Sequence, residues 1–285
     1  MKKLFSIVLA ALMVAALFAG CGSPTAETKA TETTAAPAPA TEAAALAETE
    51  APAETEAAAT FTTIEAGKLI MSTNAAFPPY EMVADDGSFE GIDVEIAGAV
   101  AAKLGLELVV DDMDFDAALL AVQQGKSDIV MAGVTVNEDR KMVMNFSDTY
   151  SKGVQVVIVK EGSDVTLDNL GDQMIGTQRG TTGYIYTSGD YGEDHVTAYD
   201  NGASAVQALM NGQVDCVVID SAPAEAFVEA NPGLTILDTE YTSEDYAIGM
   251  SKDNTALLDA VNAALAELTA DGTIPAIVEK YIPTK

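Results

Sequence analysis

The sequence predicts an α/β fold made of two α/β lobes, with a ligand cleft between them and two crossover hinges. Three observations predict it. From Lys68 onward, short apolar runs alternate with segments of helical spacing, the pattern of a parallel sheet covered by helices. A second set of the same kind begins at Val154, after a break at Tyr150 to Gly153. Beyond Glu240 the chain changes again and supplies a tail that completes the first set, so it passes twice between lobes. A crevice between two such units is the usual place for a small ligand.

In the first set, Lys68 to Ser72 reads as a strand, followed by a loop from Thr73 to Glu81 and a turn at Asp85-Asp86-Gly87. Ile92 to Leu104 has helical spacing, with Val94, Ile96, Val100 and Leu104, and closes at Gly105. Leu106 to Val110 is the next strand, Asp116 to Gln124 a helix ending at Gly125, and Asp128 to Ala132 a third strand. The second set runs strand Val154 to Lys160, strand Met174 to Thr177, helix Thr181 to Ser188, strand Val196 to Tyr199 and helix Ala203 to Met210. It ends with strand Val217 to Asp220, helix Ala222 to Ala230 and a short edge at Thr235 to Leu237. Tyr246 to Ser251 as strand, then helices Asn254 to Ala270 and Ile274 to Tyr281, return to the first lobe. The lobes are therefore 61–152 plus 244–285 and 153–243, with hinges at Ser151 to Gln155 and Glu240 to Asp245.

Ahead of both lobes, Lys2 and Lys3 precede an apolar run from Leu4 to Ala19 that ends in small residues, so 1–20 reads as a secretory signal. Leu17-Phe18-Ala19-Gly20-Cys21 resembles the lipobox of bacterial lipoproteins, although Phe18 stands where leucine is commoner. That resemblance implies cleavage before Cys21 and a lipid on its sulfur, and hence a protein held on the outer face of the bacterial cell membrane. Residues 21–60 are Ala, Thr, Glu and Pro with almost no large apolar side chain, too little to offset ordering entropy. They read as a tether.

Composition narrows the function. Lys+Arg total 14 against Asp+Glu 44, a formal net charge of −30, which repels phosphate backbones and argues against nucleic acid. The two cysteines, Cys21 and Cys216, serve separate ends, so no disulfide is expected, and Cys216 in its apolar run reads as a buried thiol. The single histidine, His195, sits in a turn without a second histidine or cysteine beside it, so neither a metal site nor a cofactor is expected.

The chemistry gathers at the ends of the strands. Asp128 to Arg140, DIVMAGVTVNEDR, reads as strand, loop and helix start, with Asn137 as the cap. A cation in a helix's first turn opposes the macrodipole, so Arg140 has another reason to be there. The chain has only two arginines, Arg140 and Arg179, and a guanidinium matches a carboxylate in bidentate fashion. The other strand ends offer Asn74 to Tyr80, Asp114-Phe115-Asp116, Gln178 to Thr182 and Asp220-Ser221. This set suits a zwitterion, with its carboxylate on Arg140 and its ammonium on Asp220. Plainer roles stay open: Asp220 and Thr181-Thr182 as helix-start residues, and Phe77 and Phe115 as core. Pro78-Pro79 beside the first aromatic and the two acids around the second favour exposed loops.

From Lys68 to Ile282 the chain resembles the polar amino-acid-binding proteins of ABC importers, which have the type II periplasmic-binding fold. The resemblance rests on AAFPPYE (75–81), GSFEGIDVEIA (87–97), DFDAALLAVQQGKSDIVMAGVTVNEDR (114–140), NFSDTY (145–150), GTTG (180–183), VDCVVID (214–220) and ADGT (270–273), in that order and spacing. It implies that Phe77 and Phe115 sandwich the ligand and that Gly133 and Thr135 meet its ammonium and carboxylate. It likewise implies that Arg140, Thr181 and Thr182 bind the carboxylate and Asp220 the ammonium. Asn74 stands where several relatives that bind cationic side chains have aspartate, and Gln178 takes a side-chain-contacting position that varies. Arg179 could attract an acidic side chain, latch the lobes or serve as plain surface.

The resulting expectation is a non-enzymatic, monomeric receptor that passes a polar amino acid to an ABC permease. No Walker-type loop is present, so a separate ATPase must drive the import. An enzyme on the same scaffold, a dehydratase or peptidoglycan-active lyase, is the alternative, with Glu81 and Asp114 as its only acids. A ligand-sensing receptor lobe is a third class, disfavoured by the absence of a signalling segment after Lys285. The side chain recognised stays open: Asn74 and Gln178 favour an uncharged polar one, whereas Glu81, Asp114 and Asp116 suit a cationic one.

Overall fold

The computed structural model describes residues 61–238 and 240–283, so the signal, the tether and Cys21 lie outside the described residues. The first strand, β1 (Lys68–Thr73), leads into three short ones, β2 (Ala76–Phe77), β3 (Glu81–Val83) and β4 (Phe89–Glu90). Then come α1 (Ile92–Lys103), β5 (Glu107–Asp112), α2 (Phe115–Gln123), β6 (Ile129–Val130) and α3 (Glu138–Val143). A long strand, β7 (Asn145–Lys160), precedes β8 (Ile175–Gln178), α4 (Thr182–Tyr191), β9 (Val196–Tyr199) and α5 (Gly202–Met210). The chain closes with β10 (Cys216–Asp220), α6 (Ser221–Ala230), β11 (Leu234–Ile236), β12 (Thr242–Met250), α7 (Thr255–Ala270) and α8 (Thr273–Tyr281).

One curled sheet has the order β5-β1-β6-β12-β7-β10-β8-β9, with β11 also on β7. β1 runs parallel to β5 and β6, and β8 parallel to β9 and β10, as expected of strands joined through helices. The two parallel halves meet only through β7 and β12, an antiparallel pair that runs from one half into the other. The pairs from Lys152 with Asp245 to Gln155 with Thr242 join the two segments expected to be hinges.

Two expectations need correction. Tyr150 to Gly153 does not interrupt the chain, because β7 continues through it for 16 residues. Gly153 serves close approach there: a Cβ on it would lie 2.3 Å from the Tyr246 hydroxyl. The stretch expected to be a loop from Thr73 to Glu81 contains β2 and the start of β3, which form a small antiparallel sheet with β4. Strands of two or three residues are too short to show a periodicity.

Helix starts follow their caps. Asn137, Asn201 and Asn254 each accept a hydrogen bond from a backbone N–H three residues on, at 2.8, 2.9 and 3.3 Å. The hydrophobic core covers both halves, with Leu69, Met71, Ile96, Ile129, Ile158, Val217, Tyr246 and Ile248 all buried. Cys216 lies in a second cluster under β8 and β10, and burial pushes its thiol up to about 12, so it stays protonated and inert.

Candidate ligand-binding site

One cavity is lined by Asn74, Phe77, Phe115, Gly133, Thr135, Arg140, Gln178, Thr181, Thr182 and Asp220, all ten of the residues expected at the site. Glu81 and Ala132 line it as well. The strand ends explain the gathering, because Asn74 follows β1, Gly133 and Thr135 follow β6, Gln178 ends β8 and Asp220 ends β10.

Arg140 is held from both sides. Asn137 caps its helix, and its Nη1 donates to the Thr135 carbonyl at 2.9 Å and its Nη2 to the Gly180 carbonyl at 3.2 Å. The guanidinium lies over the Phe115 ring, 5.4 Å from its centre. Only 7 % of Arg140 is exposed, yet among the described residues no carboxylate comes within ion-pair distance. Burial lowers its pKa, and the more distant charge of Glu244 opposes that. A buried cation with two carbonyl contacts and no anion is costly, and an arriving carboxylate relieves the cost.

Asp220 is the counterpart. It occupies the first position before α6, but its side chain makes no capping bond, so the plainer reading of it as a helix cap does not hold. Its Oδ2 accepts from Gln155 Nε2 at 2.8 Å, and its Oδ1 accepts from the Tyr246 hydroxyl. Burial raises its pKa to about 7, against the pull of those donors. Thr181, by contrast, does cap α4, accepting from Tyr184 N at 3.4 Å while donating to the Gln178 carbonyl at 2.8 Å. Thr182 Oγ1 donates to Glu244 Oε2 at 3.0 Å and lies 3.4 Å from Thr135 Oγ1.

Phe77 and Phe115 line the cavity but are not exposed loop residues: Phe77 is in β2 and 7 % exposed, and Phe115 opens α2 and is 5 % exposed. The Phe77 ring stacks on Tyr80 with centres 5.8 Å apart, and the aromatic ahead of Pro78-Pro79 faces inward. Gly133 has φ +54, and a Cβ there would sit 2.8 Å from Phe77 Cε1, so only glycine lets that ring pass under the loop. Asn74 Nδ2 donates to the Met113 carbonyl at 2.8 Å, and its Oδ1 accepts from Gln178 Nε2 at 2.9 Å.

Two of the roles left open drop out here. Arg179 does not latch the lobes: its Nη2 pairs with Asp200 at 3.1 Å on the surface of its own half, and both side chains are exposed. Asp114 and Asp116 do not line the cavity, so Glu81 alone of the three acids reaches it. Sequence reasoning also missed Glu244 and Gln155, which reach the site from β12 and β7. Gln155 Nε2 donates to both Asp220 Oδ2, at 2.8 Å, and Glu244 Oε2, at 2.9 Å. Glu244 fell within the expected hinge, where its neighbours Ser243 and Asp245 gave no sign of its role. His195 Nδ1 donates to the Gln173 carbonyl at 3.3 Å, and among the described residues no cluster of His, Cys, Asp or Glu could hold a metal ion.

A cleft between two α/β halves, with a buried guanidinium opposite a buried carboxylate, defines a receptor for small polar solutes. The chain belongs to the bacterial extracellular solute-binding proteins, family 3, whose model matches residues 69–284. Members of that family are substrate-binding proteins of transporters, not enzymes. Among its relatives, ABC transporter arginine-binding protein 1 of Escherichia coli is 29 % identical over 79 % of this chain and 94 % of its own length. The L-cystine-binding protein TcyJ of the same organism is 30 % identical over 76 % of this chain and 83 % of its own. The structure of an ancestral arginine-binding protein bound to glutamine superposes with a TM-score of 0.73 and 38 % identity, covering 76 % of this chain and 99 % of that one.

Proposed function

We propose that this protein captures a free amino acid with a polar or basic side chain outside the cytoplasm and delivers it to an ABC permease driven by a separate ATPase. The observation that carries this reading is Arg140, buried without an anionic partner among the described residues and in the same cavity as Asp220. In this reading the ligand carboxylate binds Arg140 together with Thr135, Thr181 and Thr182, and its ammonium binds Asp220 and the Gly133 loop. The side chain lies between Phe77 and Phe115 and reaches Asn74 and Gln178. Relatives named for arginine and cystine, and an ancestral arginine-binding protein that holds glutamine, support this ligand class.

Residues 61–152 plus 244–285 would form one lobe and 153–243 the other, closing about the middle of β7 and β12 as ligand contacts favour the shut state. The apolar leader and Leu17-Phe18-Ala19-Gly20-Cys21 support a monomer tethered by lipid on Cys21 to the outer face of the cell membrane. Calorimetric titration of the full chain with arginine, glutamine, histidine and cystine tests the reading. At least one should bind tightly to the wild type and far more weakly to Arg140→Ala and Asp220→Asn. If none binds, or both variants bind as the wild type does, the proposal fails.

A further inference from the structure

The cavity holds an acid that the zwitterion grip leaves without a task. Glu81, at the start of β3, is fully buried and lines the cavity; among the described residues no backbone or basic donor reaches either carboxyl oxygen, and its one side-chain hydrogen-bonding neighbour is another acid, Asp93, which raises its pKa further. Every titratable group that bears on it is an acid or a phenol: Asp93 on α1, Asp112 at the end of β5, Asp220 at the end of β10, its neighbour Tyr80, and Tyr150 on β7. No lysine, arginine or histidine is among them. Asp93 is itself committed, since its Oδ2 accepts from Gly133 N at 2.9 Å and so holds the loop that lines the cavity. A carboxylate buried among like charges, with no backbone or basic donor on either oxygen, is strongly disfavoured, so Glu81 carries a proton when no cation is near.

We propose that Glu81 receives a positively charged group of the bound amino acid and loses its proton in doing so, so that ligand capture and proton release are coupled at this residue. The inference rests on the amino-acid reading above. The balance is simple: the neutral acid gives its proton to the solvent, and the carboxylate left behind pairs with the incoming cation. That cation is either the α-ammonium, near Asp220, or a cationic side chain, and the two are separable by experiment. Burial and the charge of Asp93 hold Glu81 well above the usual carboxylate range, whereas Asp93 titrates at about 6 and Asp220 at about 7. At pH 8 the latter two are already ionised. Glu81 is then the carboxyl with a proton left to release.

The test is calorimetry of the full chain at pH 8 in two buffers of different ionisation enthalpy, using L-glutamine and L-arginine as probes. The difference between buffers should report release of most of one proton. Release with glutamine assigns the α-ammonium to Glu81, and release with arginine alone assigns the guanidinium. Glu81→Gln, an uncharged isostere of the acid form, should abolish the release while melting as the wild type does. The wild-type measurement stands alone if that variant does not fold. Binding of both probes without proton release overturns the proposal, as does a release that survives in Glu81→Gln. If neither probe binds the wild type, the amino-acid reading itself falls, and this inference falls with it.

Discussion

Gln178 Nε2 donates to Asn74 Oδ1 at 2.9 Å, joining the end of β8 in one half of the sheet to the loop after β1 in the other. The bond crosses the cleft, and both residues are buried. It therefore favours the closed form. A neutral hydrogen bond contributes about 0.5–1.5 kcal/mol net, so removing this one should shift the open-to-closed ratio by about twofold to tenfold. Gln178→Ala is expected to expand the ligand-free protein in small-angle scattering. Unchanged dimensions would show that the bond does not bias closure.

Arg140 carries the largest expected loss. Truncation to alanine removes the group that answers the ligand carboxylate and strands that carboxylate in a site closed to water. Such losses run to about 2–5 kcal/mol, or roughly thirtyfold to several thousandfold in affinity. Arg140→Lys should recover little, because an ammonium cannot reach the Thr135 and Gly180 carbonyls in parallel and still face a carboxylate. Titration calorimetry that finds the lysine variant within threefold of the wild type would show that charge alone suffices there.

Much of this site was legible because strand ends in an α/β sheet converge, and the chain marks those ends with unusual residues. Arg140 stood out as one of two arginines in a helix's first turn, and Asp220 as an acid closing an apolar strand. Neither needed knowledge of the partner half. The contributions of Gln155 and Glu244 were not legible, because they come from the middle of two long crossing strands and depend on β7 pairing with β12. Asp93 was hidden in the same way: it sits in the first turn of α1, where an acid is locally favourable, and only the fold brings it under Gly133. The inward turn of Phe77 depended on strands too short to announce themselves.

Two glycines should separate stability from binding. Gly91 has φ +127, and a Cβ there would lie 2.3 Å from the Tyr80 carbonyl oxygen, a backbone atom that cannot yield. Gly91→Ala should therefore destabilise the whole fold by about 2 kcal/mol or more and lower its melting temperature. Gly133→Ala meets a ring instead, and Phe77 can turn aside. It should keep most of its stability, losing about 1–2 kcal/mol, but weaken ligand binding because the displaced ring lines the cavity. A thermal melt and an affinity measured on each variant check the contrast. Equal losses of stability in the two would contradict it.

Acidification should move affinity and ligand-free stability in opposite directions, with Asp220 titrating closest to neutral pH. Asp220 binds the ammonium only as a carboxylate, so below its pKa of about 7 affinity should weaken by up to tenfold per pH unit. In the absence of ligand the sign reverses. The unfolded chain has an ordinary aspartate near 3.9 and the folded one a proton held to about 7, so the folded state binds more protons between those values. Stability is then fully present below the unfolded value, declines as pH rises toward 7, and stays diminished above it. Three pKa units correspond to about 4 kcal/mol over the whole window. Asp93, raised to about 6, and Glu81, held well above the usual carboxylate range, add in the same sense. Ligand-free protein should accordingly melt higher at pH 5 than at pH 8, and Asp220→Asn should lessen that slope while Glu81 and Asp93 retain the rest. A melting temperature that rises with pH across this range would show that Asp220 is ionised in the closed, ligand-free fold, and the acid weakening of affinity would then need another source.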